Sequence, residues 1–145
     1  MEIGLESSSS SSTDVAAEPA TVLIVDDDRA VLNALSELLE GEGYAVATAM
    51  DGVEALDQLR GGLRPCVILL DLMMPGMDGW DFRHEQMKDP ELKNFPVVVI
   101  TAAGFSEASV KAQFGDIEFV AKPPLAKGLL DAIRRSCGEP IHQRE

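Results

Sequence analysis

The sequence predicts a doubly wound α/β fold, a five-stranded parallel sheet with helices on both faces. Three observations carry this. Short apolar runs of strand length alternate with segments of helical periodicity five times along the chain, the pattern of successive βα units. Three of the runs, "TVLIV", "CVILL" and "PVVVIT", are continuously apolar rather than alternating, as strands covered on both faces are. The turns between runs and helices are marked by Gly, Pro and Asp, residues that start and stop helices.

The elements follow in order. Residues 1–20 include "ESSSSSSTDVAAEPA", Ser-rich and poor in large apolar groups. Such a segment buries too little surface to offset its ordering entropy, so a disordered tail is expected there. The domain proper is expected over 21–138, with a short tail at 139–145. A first strand spans 21–25. Leu32, Leu35 and Leu39 recur at helical spacing after Asp28, a residue suited to cap the helix. "GEGY" stops that helix, and 45–49 form a second strand. Asp51 caps a helix running through Arg60, with Val53, Leu56 and Leu59 expected on one face. "GG" at 61–62 ends it. The third strand is 66–70, followed by a short helix over 78–87. The fourth strand is 96–101, then a weak helix over 106–113 and a fifth strand over 117–121. A final helix runs from Pro124 to Cys137, with Leu125, Leu129 and Ile133 in register and Gly138 as its stop.

Composition narrows function. The 145 residues suit one domain, and the 46% hydrophobic content suits a buried core. The formal net charge is −13, from 25 acids and 12 bases. That disfavours direct contact with nucleic acid, which needs Lys and Arg at the phosphates. It equally disfavours anionic membrane surfaces. No apolar stretch approaches the ~20 residues that span a bilayer. "MEIGLESSSS" has neither a basic nor an apolar leader region, so no secretory signal is expected. Cys66 and Cys137 show no metal or framework spacing. Cys66 is expected to pack as a small hydrophobe in a reduced, cytoplasmic domain.

Ligands of open α/β sheets bind outside the carboxyl ends of the strands. Asp26, Asp27 and Asp28 follow the first strand, Asp71 the third and Lys122 the fifth, while the fourth ends on Thr101. Asp28 is assigned to capping. Any one of the others has an ordinary explanation as a turn residue or a solvated side chain. Together they place carboxylates from two strands at one edge. Two such charges ~4 Å apart repel by about 4 kcal/mol at an effective dielectric near 20. A cation offsets that, and Mg²⁺, which takes carboxylate, water and phosphoryl oxygens, suits the set. A carboxylate is also a nucleophile toward phosphorus. Lys122 would then supply charge, and Thr101 a hydrogen bond, to the phosphoryl oxygens. The residues read as a phospho-aspartate site with Asp71 as acceptor.

Residues 21–137 resemble the receiver domains of response regulators. The resemblance rests on "VLIVDDD" (22–28), "LLDLMMPGMDGW" (69–80), "VVVITA" (97–102) and "FVAKPP" (119–124), in the family's order. It implies that Asp27 binds Mg²⁺ directly, Asp26 through a water, and Met73 through its backbone carbonyl. It implies a cis Lys122–Pro123 bond that aims the lysine, and a switch in which Thr101 is coupled to Phe119. Its partners would be a sensor histidine kinase or histidine phosphotransfer protein and a downstream protein target. It leaves phosphorylation-dependent dimerisation open. Met74 and Met77 are expected to pack, and Gly76 and Gly79 to serve turns.

The chain departs from the family at several points. The 102–121 stretch lacks the usual apolar-rich fourth helix and is about one residue short. "KPP" replaces the commoner Lys-Pro-Phe. Met73 and Ala103 are non-acidic where the family controls water attack on the phosphoryl group, so slow dephosphorylation is expected. Nothing after 137 is long or basic enough to bind DNA, so output through protein contact is expected, as in stand-alone receivers or a phosphorelay.

Three rival readings are weaker. A phosphohydrolase of the haloacid-dehalogenase type carries an Asp two residues after its nucleophile, where this chain has Met73. A receiver that signals without phosphorylation need not hold all five site residues. A flavodoxin-like cofactor protein needs a phosphate loop that has no counterpart here.

Overall fold

The computed structural model describes residues 20–74, 76–101, 107–115, 117–121 and 126–138. The expectations for the Ser-rich tail before Ala20, for Ala103, for Lys122–Leu125 and for 139–145 fall outside those residues.

The elements are β1 (Thr21–Val25), α1 (Arg29–Gly41), β2 (Ala45–Ala49), α2 (Gly52–Arg60), β3 (Val67–Asp71), α3 (Gly79–Lys88), β4 (Val97–Thr101), α4 (Glu107–Phe114), β5 (Glu118–Ala121) and α5 (Ala126–Cys137). The strands form one sheet in the order β2-β1-β3-β4-β5, and all four pairings are parallel. Burial explains the strand compositions. β3, in the centre, is buried along its whole length, and β1 is buried from Val22 to Val25. β2, at an edge, is mostly half-buried, which fits its small "AVATA" sequence.

Two apolar layers lie on the two faces. Val22, Ile24, Val67, Leu69, Val98 and Ile100 point to α1 and α5, where they meet Leu32, Leu35, Leu39, Leu129 and Ile133. Leu23, Val25, Ile68, Leu70, Val97 and Val99 point to the opposite face, with Ala55, Leu56, Leu59, Phe82 and Val110 of α2, α3 and α4. The period-2 alternation of each strand thus feeds both layers.

Aspartates set the starts of α1, α2 and α3. Asp28 accepts from Ala30 N (3.0 Å), Asp51 from Glu54 N (2.8 Å) and Asp78 from Asp81 N (3.0 Å). Each satisfies an amide that the first turn leaves without a helical partner. The assignment of Asp28 as a cap therefore holds. Val53 does not join the buried face of α2: it is 51% exposed, and Ala55 takes that place beside Leu56 and Leu59. The turns place Val53 at 100° from Gly52, whose own Cα faces the interior.

The cysteine expectation is corrected. Cys66, just before β3, and Cys137, the last residue of α5, form a disulfide with Cα atoms 5.1 Å apart. The 71-residue separation conceals this in the sequence, because α5 returns to the foot of β3 only once the sheet has closed. Among the described residues no helix is long and apolar enough to cross a membrane.

Candidate functional site: an acidic cluster at the carboxyl edge of the sheet

β1 and β3 are neighbours and end at the same edge. Asp26 follows β1 directly, and its amide donates to Ala49 O of β2 (3.0 Å), so the ladder fixes its backbone. Asp71 is itself the last residue of β3, in register with Ile100 of β4. The sequence placed it one step beyond the strand; it is held by the strand. Both are nearly buried, at 3% and 4% exposure, while Asp27 is exposed.

Carboxylate oxygens of Asp26, Asp27 and Asp71 all lie within 4.8 Å of one another. Local amides orient two of them. Asp26 Oδ1 accepts from Asp28 N (2.9 Å), and Asp71 Oδ1 accepts from Met73 N (3.2 Å). Three hard oxygen donors at this spacing, two of them shielded from bulk water, have the chemistry of a divalent cation site and fit Mg²⁺.

The loop beyond Asp71 is anchored at both ends. Gly79 N donates to Leu72 O (3.2 Å), and Gly52 N donates to Met77 O (3.1 Å). Met74 is buried, and Met77 packs on the α2–α3–α4 layer, as expected of side chains used for packing. Met73 is 59% exposed, so its position in the loop rests on backbone rather than side-chain contacts. Gly76 has φ +74°, as its assignment to a turn requires.

Gly79 has a different task. A Cβ there would lie 2.5 Å from Asp71 O and 2.7 Å from Leu72 Cα. A Cβ on Gly52 would lie 2.7 Å from Met77 Cγ. These two glycines let α3 and α2 close on the acidic edge, and sequence reading missed both as packing sites. The signal available was a glycine immediately after each capping aspartate, "DG" at 51–52 and at 78–79.

Thr101 closes β4, in register with Ala121, and Phe119 stands opposite Val99. Phe119 is half-buried against the α2–α3–α4 layer. Lys122 and Pro123 follow β5 outside the described residues. Along α3, Trp80, Arg83, His84 and Met87 line a shallow cleft of about 270 Å³ with Gln113 of α4. No chemistry in the sequence singled it out.

Residues 22–134 match the response regulator receiver domain family. Over 105 residues the chain is 42% identical to the response regulator PleD of Caulobacter vibrioides, covering 72% of this chain and 23% of that protein. It is 37% identical over 117 residues to the response regulator MprA of a Mycobacterium species, covering 80% of this chain and 50% of that protein. The chain thus spans half or less of the length of these curated relatives.

Solved structures agree. The chemotaxis protein CheY4 of Vibrio cholerae superposes with a TM-score of 0.73 at 30% identity, over 82% of this chain and 99% of that one. The signal receiver domain of a signal transduction histidine kinase from Syntrophus aciditrophicus gives 0.72 at 28% identity, over 81% and 89%. Sequence match, strand order and an acidic edge where the fold binds its ligands lead to one assignment: the chain belongs to the response regulator receiver domain family of two-component signalling.

Proposed function

We propose that this protein is a phospho-acceptor switch in which Asp71 takes a phosphoryl group from a sensor histidine kinase or a histidine phosphotransfer protein. The observation that carries the reading is the meeting of the Asp26, Asp27 and Asp71 carboxylates at the carboxyl edge of the sheet. A carboxylate oxygen of Asp71 attacks phosphorus, the P–N bond of the donor's phosphohistidine breaks, and the imidazole keeps the electron pair. The product is an acyl phosphate. Asp71 suits the role because β3 pairing and the Met73 amide leave it little freedom, so its attack geometry is set before the donor arrives.

Asp26, Asp27, Asp71 and the Met73 carbonyl would hold Mg²⁺, with Asp27 bound directly and Asp26 through a water. When bound, the ion supplies the positive charge that offsets repulsion between Asp71 and the incoming phosphoryl oxygens. Lys122, which the family's cis Lys122–Pro123 bond would aim into the site, would supply a second positive charge at the phosphoryl oxygens, and Thr101 would donate a hydrogen bond to one of them.

The added group carries about −1.5 to −2 charge at neutral pH. Thr101 moves toward it, Phe119 fills the space released, and the surface around α4, β5 and α5 changes. The readout is contact with a downstream protein, including a second copy of this chain if phosphorylation drives dimerisation. The site of action is the cytoplasm, where histidine kinases present their phosphoryl group. The chain promotes its own phosphorylation and dephosphorylation and turns over no small substrate.

The test is intact mass after incubation with acetyl phosphate, with and without Mg²⁺, on the wild type and on Asp71→Asn. A Mg²⁺-dependent gain of one phosphoryl group, absent from the variant, is expected. Equal labelling of the variant would reject Asp71 as acceptor. No labelling from either acetyl phosphate or a phosphorylated histidine phosphotransfer protein would favour signalling without phosphorylation.

A further inference from the structure

The Cys66–Cys137 bond lies at the amino end of β3, five residues from Asp71 and so roughly 16 Å from it at ~3.3 Å per residue. It takes no part in the phosphoryl chemistry. It fastens the last residue of α5 to the root of the central strand. Among the described residues, three non-covalent links hold the same helix end: Tyr44 Oη donates to Gly138 O (3.0 Å), Arg134 pairs with Glu42 (3.5 Å), and Arg135 pairs with Glu118 of β5 (2.6 Å). The face of α5 nearer its middle, Leu129, Leu130, Ala132 and Ile133, is already buried against the sheet.

The surroundings accommodate both redox states. Both cysteines are half-buried and pack on the α1–α5 layer, so each sulfur keeps apolar neighbours whether bonded or not. Cys66 N donates to Thr21 O (2.8 Å), which fixes its backbone independently of the disulfide. Cys66 Sγ lies 3.3 Å from the same carbonyl oxygen, so a thiol there has an acceptor in place. Reduction therefore leaves the Cys66 backbone bond in place and gives its thiol an acceptor. It removes the one covalent tie and leaves the Tyr44, Arg134 and Arg135 contacts in place. Partial exposure leaves the pair reachable by a small disulfide.

We propose that Cys66 and Cys137 form a reversible dithiol–disulfide couple that clamps and releases the carboxyl end of α5, a redox input separate from Asp71. The co-reactant is a low-molecular-weight disulfide such as oxidised glutathione. One cysteine thiolate attacks it, forming a mixed disulfide and expelling one glutathione thiolate. The second cysteine attacks the protein sulfur of the mixed disulfide, closing the Cys66–Cys137 bond and expelling the other glutathione. Two electrons pass to the glutathione disulfide, and the two protons leave with its thiols. Excess reduced glutathione reverses both steps. Because α5 belongs to the surface assigned to output above, the clamp would set how freely that surface rearranges. The chemistry at the cysteines stands whether or not Asp71 is the acceptor.

The full chain is equilibrated in glutathione buffers from reducing to oxidising. It is then alkylated with iodoacetamide and weighed intact, and amide hydrogen exchange is followed over 126–138. Two alkylated thiols at the reducing end and none at the oxidising end, in a monomer free of glutathione adduct, are expected. Exchange near Cys137 should slow at least tenfold on oxidation, and the thermal midpoint should rise by about 10 °C, given the long loop that the bond closes. Cys137→Ser should keep Cys66 alkylatable after reduction and erase the difference in exchange. Thiols free at every poise, a bond that reduced glutathione never opens, a stable glutathione adduct or an intermolecular dimer would each overturn the couple. An oxidised form with unchanged exchange over 126–138 would overturn the clamp.

Discussion

A methyl group at position 79 would meet the carbonyl oxygen of Asp71 at 2.5 Å and the Cα of Leu72 at 2.7 Å. Neither is the tip of a flexible side chain. Backbone has to yield, and the backbone concerned carries the Asp71 carboxylate proposed as acceptor. Overpacking of this kind costs about 1–3 kcal/mol. Gly79→Ala is therefore expected to lower stability by that amount in urea denaturation and to slow phosphorylation of Asp71 by acetyl phosphate. Full stability together with a wild-type labelling rate would mean that α3 can withdraw without disturbing β3. Gly52→Ala makes a useful contrast, because the atoms it meets first are Cγ and Sδ of Met77. A methionine side chain adjusts at lower cost, so the smaller effect is expected there. The aspartates of the site were legible because strand ends are where this fold keeps its chemistry. The glycines were not, since a close approach of a backbone to a distant segment, backbone at Gly79 and the Met77 side chain at Gly52, leaves no mark on the sequence beyond the missing side chain.

At the scale of elements, the helix starts were legible for a local reason. An N-cap is a contact between residues two or three apart, and Asp28, Asp51 and Asp78 each make one. The placement of Val53 failed because a nine-residue helix offers too few turns for periodicity to separate Val53 from Ala55. The disulfide failed because nothing local reports a contact across 71 residues. Gln86 is a shorter-range case, with partners three to nine residues away. Fully buried in α3, its Nε2 donates to Leu92 O (2.9 Å) and Phe95 O (3.1 Å), and its Oε1 accepts from Arg83 Nη1 (2.9 Å). One side-chain amide thus ties two carbonyls of the connection from α3 to β4 back to the helix. Gln86→Ala leaves those carbonyls without that donor, at a cost of about 1–3 kcal/mol. The expected result is a lower urea midpoint and faster amide exchange over 89–96, with the yield of phosphorylated Asp71 unchanged. A large loss of labelling would show that the connection positions β4 at the acidic edge as well as stabilising it.

At the scale of the molecule, the chain folds against its own charge. It carries a formal net charge of −13, and three of its carboxylates meet at one edge. Such a cluster opposes folding, because the unfolded chain separates charges that the native state draws together. A divalent cation that binds only the native cluster reverses this. At one hundred times its Kd it stabilises by about 2.7 kcal/mol through mass action alone. Monovalent salt screens the whole surface instead, and acts weakly on pairs shielded from solvent. The two effects are separable. After chelation, Mg²⁺ titrated at constant ionic strength should raise the thermal midpoint by several degrees and saturate, whereas matched KCl should give a smaller, unsaturating rise. In Asp26→Asn the apo form should be as stable as the wild type or more so, since a like charge has been removed from a nearly buried position, while the response to Mg²⁺ should be largely lost. Mg²⁺ and KCl acting alike on the wild type would show that the edge gathers charge without binding the ion. Loss of the Mg²⁺ response with a gain in apo stability would show that repulsion accepted in the free protein is what gives the cluster its affinity for the cation.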